Sequence, residues 1–256
     1  MNNILFVTAF KDINRSKYSH YTRTNDTYFY YFFNLVNNIK YKLVVYVENY
    51  IRDILLSKYE FKDNIIFMDL NKVDTFYKRY NEINKIIIAS KFYQNKIPKS
   101  RKTNPEHCHA EYNSITNSKS NFLRDAKKNN SNYEFYAWVD FGCIRNSSSM
   151  PPSIDFTLLP KQITFHCFQK PLNKRHEYDI LTTWDIYFDG SQIIIHTSLI
   201  EIFDSLCNEK LKKWCEIIVT DDDQSLVLQI YYDHPELFNL IINDRWYSLL
   251  SSLKIQ

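Results

Sequence analysis

A lone aspartate closes the apolar run YAWVDFG at residues 136–142, and one of only 2 glycines in the 256-residue chain follows it two positions later. Average usage would supply roughly eighteen glycines. A carboxylate emerging from such a run is placed to ligate a hard cation, Mg2+ or Mn2+, which takes oxygen ligands and bridges carboxylates to substrate phosphates. Gly142 would admit close approach of a ligand, or a positive φ. The alternative is a turn in which Asp140 caps and Gly142 supplies the geometry.

A second carboxylate cluster, TDDDQ at 220–224, opens a predicted helix. Thr220 or Asp221 would serve as N-cap, with the acids complementing the helix dipole. Three adjacent carboxylates also repel one another, which suits a base of raised pKa or a metal ligand. Gln224 adds an amide for a hydroxyl. HCH at 107–109 matches no strong zinc spacing and reads as a surface or loop segment. The chain has no GxSxG, P-loop or GxGxxG, which argues against a hydrolase elbow, an NTPase or a dinucleotide enzyme.

These residues need a frame to hold them. ILFVTAF (4–10), KLVVYV (42–47), NIIFMDL (64–70) and the segment ending in YAWVDFG read as buried strands. Helical patterns lie between them at 27–39, 48–59, 72–90 and 110–129, with 91–110 irregular. Alternation of strand and helix predicts right-handed βαβ units and a mostly parallel sheet. IRNSSSMPPS (144–153) is a loop. Beyond it, strands are expected at 162–168, 184–190 and 192–197, and helices at 198–217 and from 221 to Pro235. Ligands of such sheets bind outside the carboxyl ends of the strands. Three polar clusters are expected there: Thr8 to Arg15, Asp140 to Arg145, and Asp189 to Ser191.

Composition narrows the partners. Lys and Arg number 32 against 29 Asp and Glu, and the basic residues form no stripe of the kind a nucleic-acid groove needs. KIPKSRK (96–102) reads as a solvated loop. The 5 cysteines include no CxxC pair, which suits a reducing, cytoplasmic compartment. No stretch approaches the 18 apolar residues of a membrane span, and no signal peptide is expected. Work at a membrane would be peripheral. The 20 Tyr and 18 Phe fit compositional drift, or an aromatic cleft for sugar faces.

Six stretches resemble one family in order along nearly the whole chain. They are ILFVTAFKDINR (4–15), LVVYVE (43–48), EYNSITNSKSNFLRDA (111–126), FYAWVDFGCIR (135–145), DDDQSLVLQIYYDHPELFNLI (221–241) and RWY (245–247). Together they are similar to the HtrL/YibB family, read as glycosyltransferases. The resemblance implies a GT-A-like single α/β domain over 1–256, its mostly parallel central sheet flanked by helices and its C-terminal half more mixed. Residues 1–145 would bind the nucleotide and 146–256 would form the acceptor side. The implied reaction moves a sugar from a nucleotide-diphosphate donor to a glycan, glycolipid or other hydroxyl acceptor.

The family's Asp-x-Asp metal motif is here Asp140-Phe141-Gly142, which implies Mn2+ or Mg2+ at Asp140 with one carboxylate kept. Thr8, Ala9 and Asp12 would meet the nucleoside, and Arg15 the phosphates. Lys119 and Arg124 would add positive charge to the diphosphate, and Gly142 would give it room. Asp189 and Gly190, in YFDGSQ (187–192), stand where the family has a glycine-rich turn at the acceptor pocket. Asp222, Asp223 and Gln224 would address donor sugar or acceptor hydroxyl, with either aspartate as base. The rival expectations are a catalytically silent binder of nucleotide sugars or carbohydrates, and an interaction module whose motif carboxylates lie apart.

Overall fold

The computed structural model describes residues 3–145, 153–171, 173, 174, 176–182 and 186–253. Its strands are β1 Ile4–Phe10, β2 Leu43–Val47, β3 Ile65–Asp69, β4 Phe135–Val139, β5 Ile163–Cys167, β6 Phe188–His196 and β7 Phe238–Ile242. They form one sheet in the order β3-β2-β1-β4-β6-β5-β7. All neighbouring pairs run parallel except those made by β6, which opposes both β4 and β5. The α/β expectation with a mostly parallel sheet and a mixed second half therefore holds.

The helices are α1 Asn25–Asn38, α2 Asn49–Lys58, α3 Phe76–Ala89, α4 Lys91–Lys96, α5 Pro105–Cys108, α6 Ala110–Thr116, α7 Lys119–Asn129, α8 Asp179–Thr182, α9 Ile200–Glu216, α10 Asp223–Asp233 and α11 Leu249–Ser252. Successive strand residues point to opposite faces, and both faces are covered. Ile4, Phe6, Leu43 and Val45 pack with Phe32 and Leu35 of α1, Ile51 of α2 and Leu249 of α11. Leu5, Val7, Val44 and Tyr46 pack on the other side with Phe76 of α3, Phe122 of α7, Trp214 of α9 and Ile230 of α10. Covered faces explain why the strands read as unbroken apolar runs.

Side-chain caps fix where the main helices begin. Thr24 accepts from Thr27 N ahead of α1, and Thr75 from Lys78 N ahead of α3, so the helix expected from residue 72 starts at Phe76. Segment 91–110, expected to be irregular, folds into short helical pieces. Ser90 caps α4 by accepting from Tyr93 N, and Pro105 occupies the first turn of α5. The single helix expected over 110–129 breaks at Asn117 and Ser118. Their side chains are spent elsewhere: Asn117 Nδ2 donates to Asp221 O at 2.9 Å, and Ser118 Oγ accepts from Tyr77 N at 2.9 Å. Ser118 Oγ also donates to Ser114 O at 2.7 Å, a back-bond four residues up the chain of the kind that bends helices.

The two strands expected at 184–190 and 192–197 are one, β6, within the described residues. Asp140 N donates to Ser191 O at 2.8 Å, so pairing toward β4 carries through the Gly-Ser step. On the other edge Phe165 opposes Ile193 while His166 opposes Asp189, and the intervening residues of β6 bulge. Strand β7 was not foreseen. It follows the 3-10 turn Pro235–Leu237 and pairs parallel to β5, Ile163 opposite Phe238. Most of the 144–153 loop lies outside the described residues.

Candidate active site

Strand order reverses at β1, which has β2 on one side and β4 on the other. Open α/β sheets leave a crevice at such a point, outside the carboxyl ends of the strands. Here it is a cleft of about 290 Å3. Ala9 lines it from the last residues of β1 and Asp12 from just beyond, Asp140 and Gly142 follow β4, and Lys119, Asp223 and Gln224 come from the first turns of α7 and α10. Asp189 and Gly190 reach it from the amino end of β6, since an antiparallel strand starts where its neighbours finish. The expectation of a carboxyl strand end is thus corrected for these two residues, while their position at this edge of the sheet stands.

At the floor, the buried Lys119 ammonium contacts Gly190 O at 2.7 Å, Asp223 Oδ2 at 2.8 Å and Asp140 Oδ1 at 2.9 Å. Trp138 Nε1 donates to the same Asp140 oxygen at 2.6 Å. Burial works against the charge on Lys119, but the two carboxylates outweigh it and hold its pKa above the ordinary lysine value. Withdrawal from water raises the pKa of Asp140, as does Asp223, against the pull of Lys119.

Both surviving glycines serve this floor. A Cβ at Gly190 would lie 2.0 Å from Asp223 Oδ2, so the carboxylate reaches Lys119 only because the residue is glycine. A Cβ at Gly142 would lie 2.8 Å from Cδ1 of the Tyr28 ring. Among the described residues no glycine has positive φ. Gly142 therefore makes room for a ring of α1, and it lines the cleft beside that ring.

One wall carries cations and aromatic rings. Arg15 donates through Nη1 to Tyr28 Oη at 2.9 Å and through Nε to Tyr21 O at 3.3 Å, and its guanidinium lies 5.1 Å from the centre of the Tyr112 ring. Arg23 lies 5.9 Å over Tyr28. Lys11 pairs with Glu48 at 2.8 Å. Trp246 and Tyr247 form part of the rim. Asp12 braces its own loop, accepting from Asn14 N and from Asn25 Nδ2, each at 2.8 Å. Asp189 braces the rim, accepting from Ser191 N at 3.0 Å and Tyr247 N at 2.6 Å, with His166 Nδ1 at 3.4 Å. Burial would raise its pKa, but these partners lower it.

Three expected residues lie elsewhere. Thr8 is wholly buried inside β1, its hydroxyl without a hydrogen-bond partner among the described residues. Arg124 points away on α7 and pairs with Asp204. Asp222 caps α10, accepting from Gln224 N at 3.1 Å, and lines a second pocket of about 220 Å3 with Asp221, Glu106 and Arg101. Gln224 borders both cavities. Burial and the like charges of Asp221 and Asp223 push the Asp222 carboxyl well up, and burial with Glu106 pushes Asp221 up to about 7.

Sequence reasoning missed Arg23, Tyr28 and Tyr112 as cleft residues, and His166 as the neighbour of Asp189. His166 is wholly buried and its Nε2 lies 2.8 Å from Asn243 O. The pattern HCH is not a surface segment throughout. His107 is buried, its Nδ1 2.9 Å from Tyr93 Oη, and burial with the Arg101 charge lowers its pKa to about 3. Among the described residues no three His, Cys, Asp or Glu side chains gather as a metal-ligand set, and no helix is long and apolar enough to cross a membrane.

Comparison with known proteins places the chain. It is 24% identical to Protein HtrL of Escherichia coli (strain K12) over 259 residues, 95% of this chain and 90% of the relative. Among solved structures it is similar to mouse xyloside xylosyltransferase 1 in its apo form, with 12% identity, a TM-score of 0.47, and coverage of 93% of this chain and 84% of the other. It is also similar to a glycosyltransferase involved in glycosylation of the major capsid of PBCV-1, with 8% identity, a TM-score of 0.39, and coverage of 94% and 81%. The model of a family described as bacterial protein of unknown function (HtrL_YibB) matches residues 2–254, and the chain therefore belongs to the HtrL/YibB family.

Proposed function

We propose that the chain is a glycosyltransferase that takes its sugar from a nucleotide-diphosphate donor bound in the β1/β4 cleft. The observation that carries this reading is the meeting of Arg15 and Arg23 with the aromatic rings of Tyr28, Tyr112 and Trp246 in one crevice at the strand-order reversal. Guanidinium groups match phosphate oxygens in pairs and stay charged, while the rings offer faces to a base or sugar. Fixed cations beside a departing diphosphate stabilise the charge that develops in the transition state, which is ordinarily the largest contribution to such a reaction.

The neighbouring pocket, joined through Gln224, suits the acceptor hydroxyl of a glycan or glycolipid. Asp222 lines it, and its raised pKa makes it the better candidate for general base. Asp223 is tied to Lys119 and would position instead. Three of the motif carboxylates, Asp12, Asp140 and Asp189, line one cleft, which disfavours an interaction module.

The test is calorimetry and product analysis against a panel of UDP-, GDP- and dTDP-sugars, using wild type and Arg15→Ala. Binding of one donor with sugar transfer or release, weakened at least tenfold in the variant, is the expected result. Failure of every donor to bind would sink the reading. The engagement of Asp140 and Asp223 by Lys119 favours a second reading, a silent donor-binding protein, which predicts binding with no transfer.

A further inference from the structure

The resemblance implies a divalent ion at Asp140, and the residues around Asp140 do not fit one. Such an ion takes carboxylate, carbonyl and water oxygens at about 2.0–2.2 Å and bridges them to phosphate. The three oxygens that face one another here, Asp140 Oδ1, Asp223 Oδ2 and Gly190 O, already surround the Lys119 ammonium at 2.9, 2.8 and 2.7 Å. An ammonium has three N–H donors, so all three are engaged. Lys119 is 5% exposed and cannot be pushed aside into water without repacking. A second cation seated among the same oxygens would lie within a few ångströms of it, an unfavourable approach of like charges.

The position is built for lysine. Gly190 has no Cβ, and Asp223 occupies the place that Cβ would take. Trp138 Nε1 supplies a further donor to Asp140 Oδ1 at 2.6 Å. Lys119 offsets one of the two carboxylate charges, while the positive charge of the cleft that no carboxylate pairs among the described residues sits on Arg15 and Arg23, whose guanidinium groups are held against Tyr28 and Tyr112.

We infer that this cleft takes its diphosphate ligand without a divalent ion: Lys119 fills the metal position between Asp140 and Asp223, and Arg15 and Arg23 bind the phosphates. The inference rests on the donor-site reading above, and its test separates the two. Mn2+ uptake is followed by electron paramagnetic resonance on wild type and Lys119→Ala. Binding of inorganic pyrophosphate and of UDP is measured by calorimetry in EDTA and in Mn2+.

Wild type is expected to take up no stoichiometric Mn2+, and to bind pyrophosphate within twofold equally in both buffers. The double variant Arg15→Ala/Arg23→Ala should bind it at least tenfold more weakly. Lys119→Ala, if folded by circular dichroism, should gain an Mn2+ site. Stoichiometric Mn2+ on wild type, tenfold tighter pyrophosphate binding with Mn2+, or a folded Lys119→Ala protein that takes up none would each overturn the inference. Pyrophosphate binding in EDTA without binding of any nucleotide would leave it standing and remove the nucleotide-sugar reading alone.

Discussion

Replacing Gly190 by alanine tests the architecture of the cleft floor. The new Cβ would lie 2.0 Å from Asp223 Oδ2 and 2.9 Å from its Cγ. Nonbonded atoms settle near 3.5 Å, so the carboxylate must retreat by roughly 1.5 Å, and its 2.8 Å contact with Lys119 is lost. Breaking a buried ion pair costs about 3–5 kcal/mol. Lys119 keeps Asp140 and a carbonyl, which places the loss near the low end, about 3 kcal/mol. Because the backbone at Gly190 is not left-handed, alanine recovers about 0.5–1 kcal/mol from the unfolded chain. The net expectation is a loss of about 2 kcal/mol.

In an Asp223→Ala background the obstacle is gone, and the same Gly190→Ala change should be neutral or slightly stabilising. Urea denaturation of wild type, both single variants and the double variant closes the cycle, with an expected coupling of about 3 kcal/mol. Additivity within about 0.5 kcal/mol would refute the claim that Gly190 exists to admit Asp223.

Other expectations follow from residues beside the cleft. Arg124→Ala should cost about 1–3 kcal/mol through Asp204, which still accepts from Ser120 and Asn121, and should leave pyrophosphate affinity within twofold; a tenfold loss would return Arg124 to the ligand site. Thr8→Val replaces a buried hydroxyl that has no partner among the described residues and should gain about 1 kcal/mol in urea melts; a loss of that size would mean the hydroxyl is in use.

Asp221 supplies a pH signature. Its folded pKa, about 7, lies above the ordinary 3.8, so the folded state holds more protons and this residue's contribution to stability falls as pH rises from about 4 to about 7. The ceiling is about 4 kcal/mol, at about 1.4 kcal/mol for each tenfold change in proton affinity. Asp221→Asn should therefore be more stable than wild type at pH 8 and gain little at pH 4. A difference independent of pH would contradict the burial of a titrating carboxyl.

Much of the frame was legible in local pattern, because four buried parallel strands announce themselves as apolar runs with helical stretches between. The same burial hid which strand residue meets the cleft. With both faces covered there is no alternation to read, so Thr8 and Ala9 look alike although only Ala9 lines the cavity. Arg124 failed for a geometric reason: five residues along an α-helix turn by roughly 140° from Lys119, and one side chain faces the cleft while the other faces α9. Asp222 and Asp223 are adjacent, yet one caps α10 and the other begins it, so they enter different cavities. The roles of the glycines depended on Asp223 and Tyr28, 33 and 114 positions away along the chain, and no local motif carries such information. The direction of β6 was also invisible, since strand content does not reveal which way a strand runs.

The bond from Lys119 to Asp223 joins residues 104 positions apart along the chain, and that from Asp189 to the backbone of Tyr247 residues 58 apart. The floor and the rim of the cleft are thus stitched from segments that a ribosome releases far apart in time. A nascent chain that has emerged only as far as β4 owns its arginines and its strand-order reversal but lacks the carboxylate that completes the floor. Ligand capacity is consequently a late product of synthesis, gained only as α10 and the rim dock, and a refolding experiment that watched tryptophan burial and diphosphate uptake side by side would see the second trail the first.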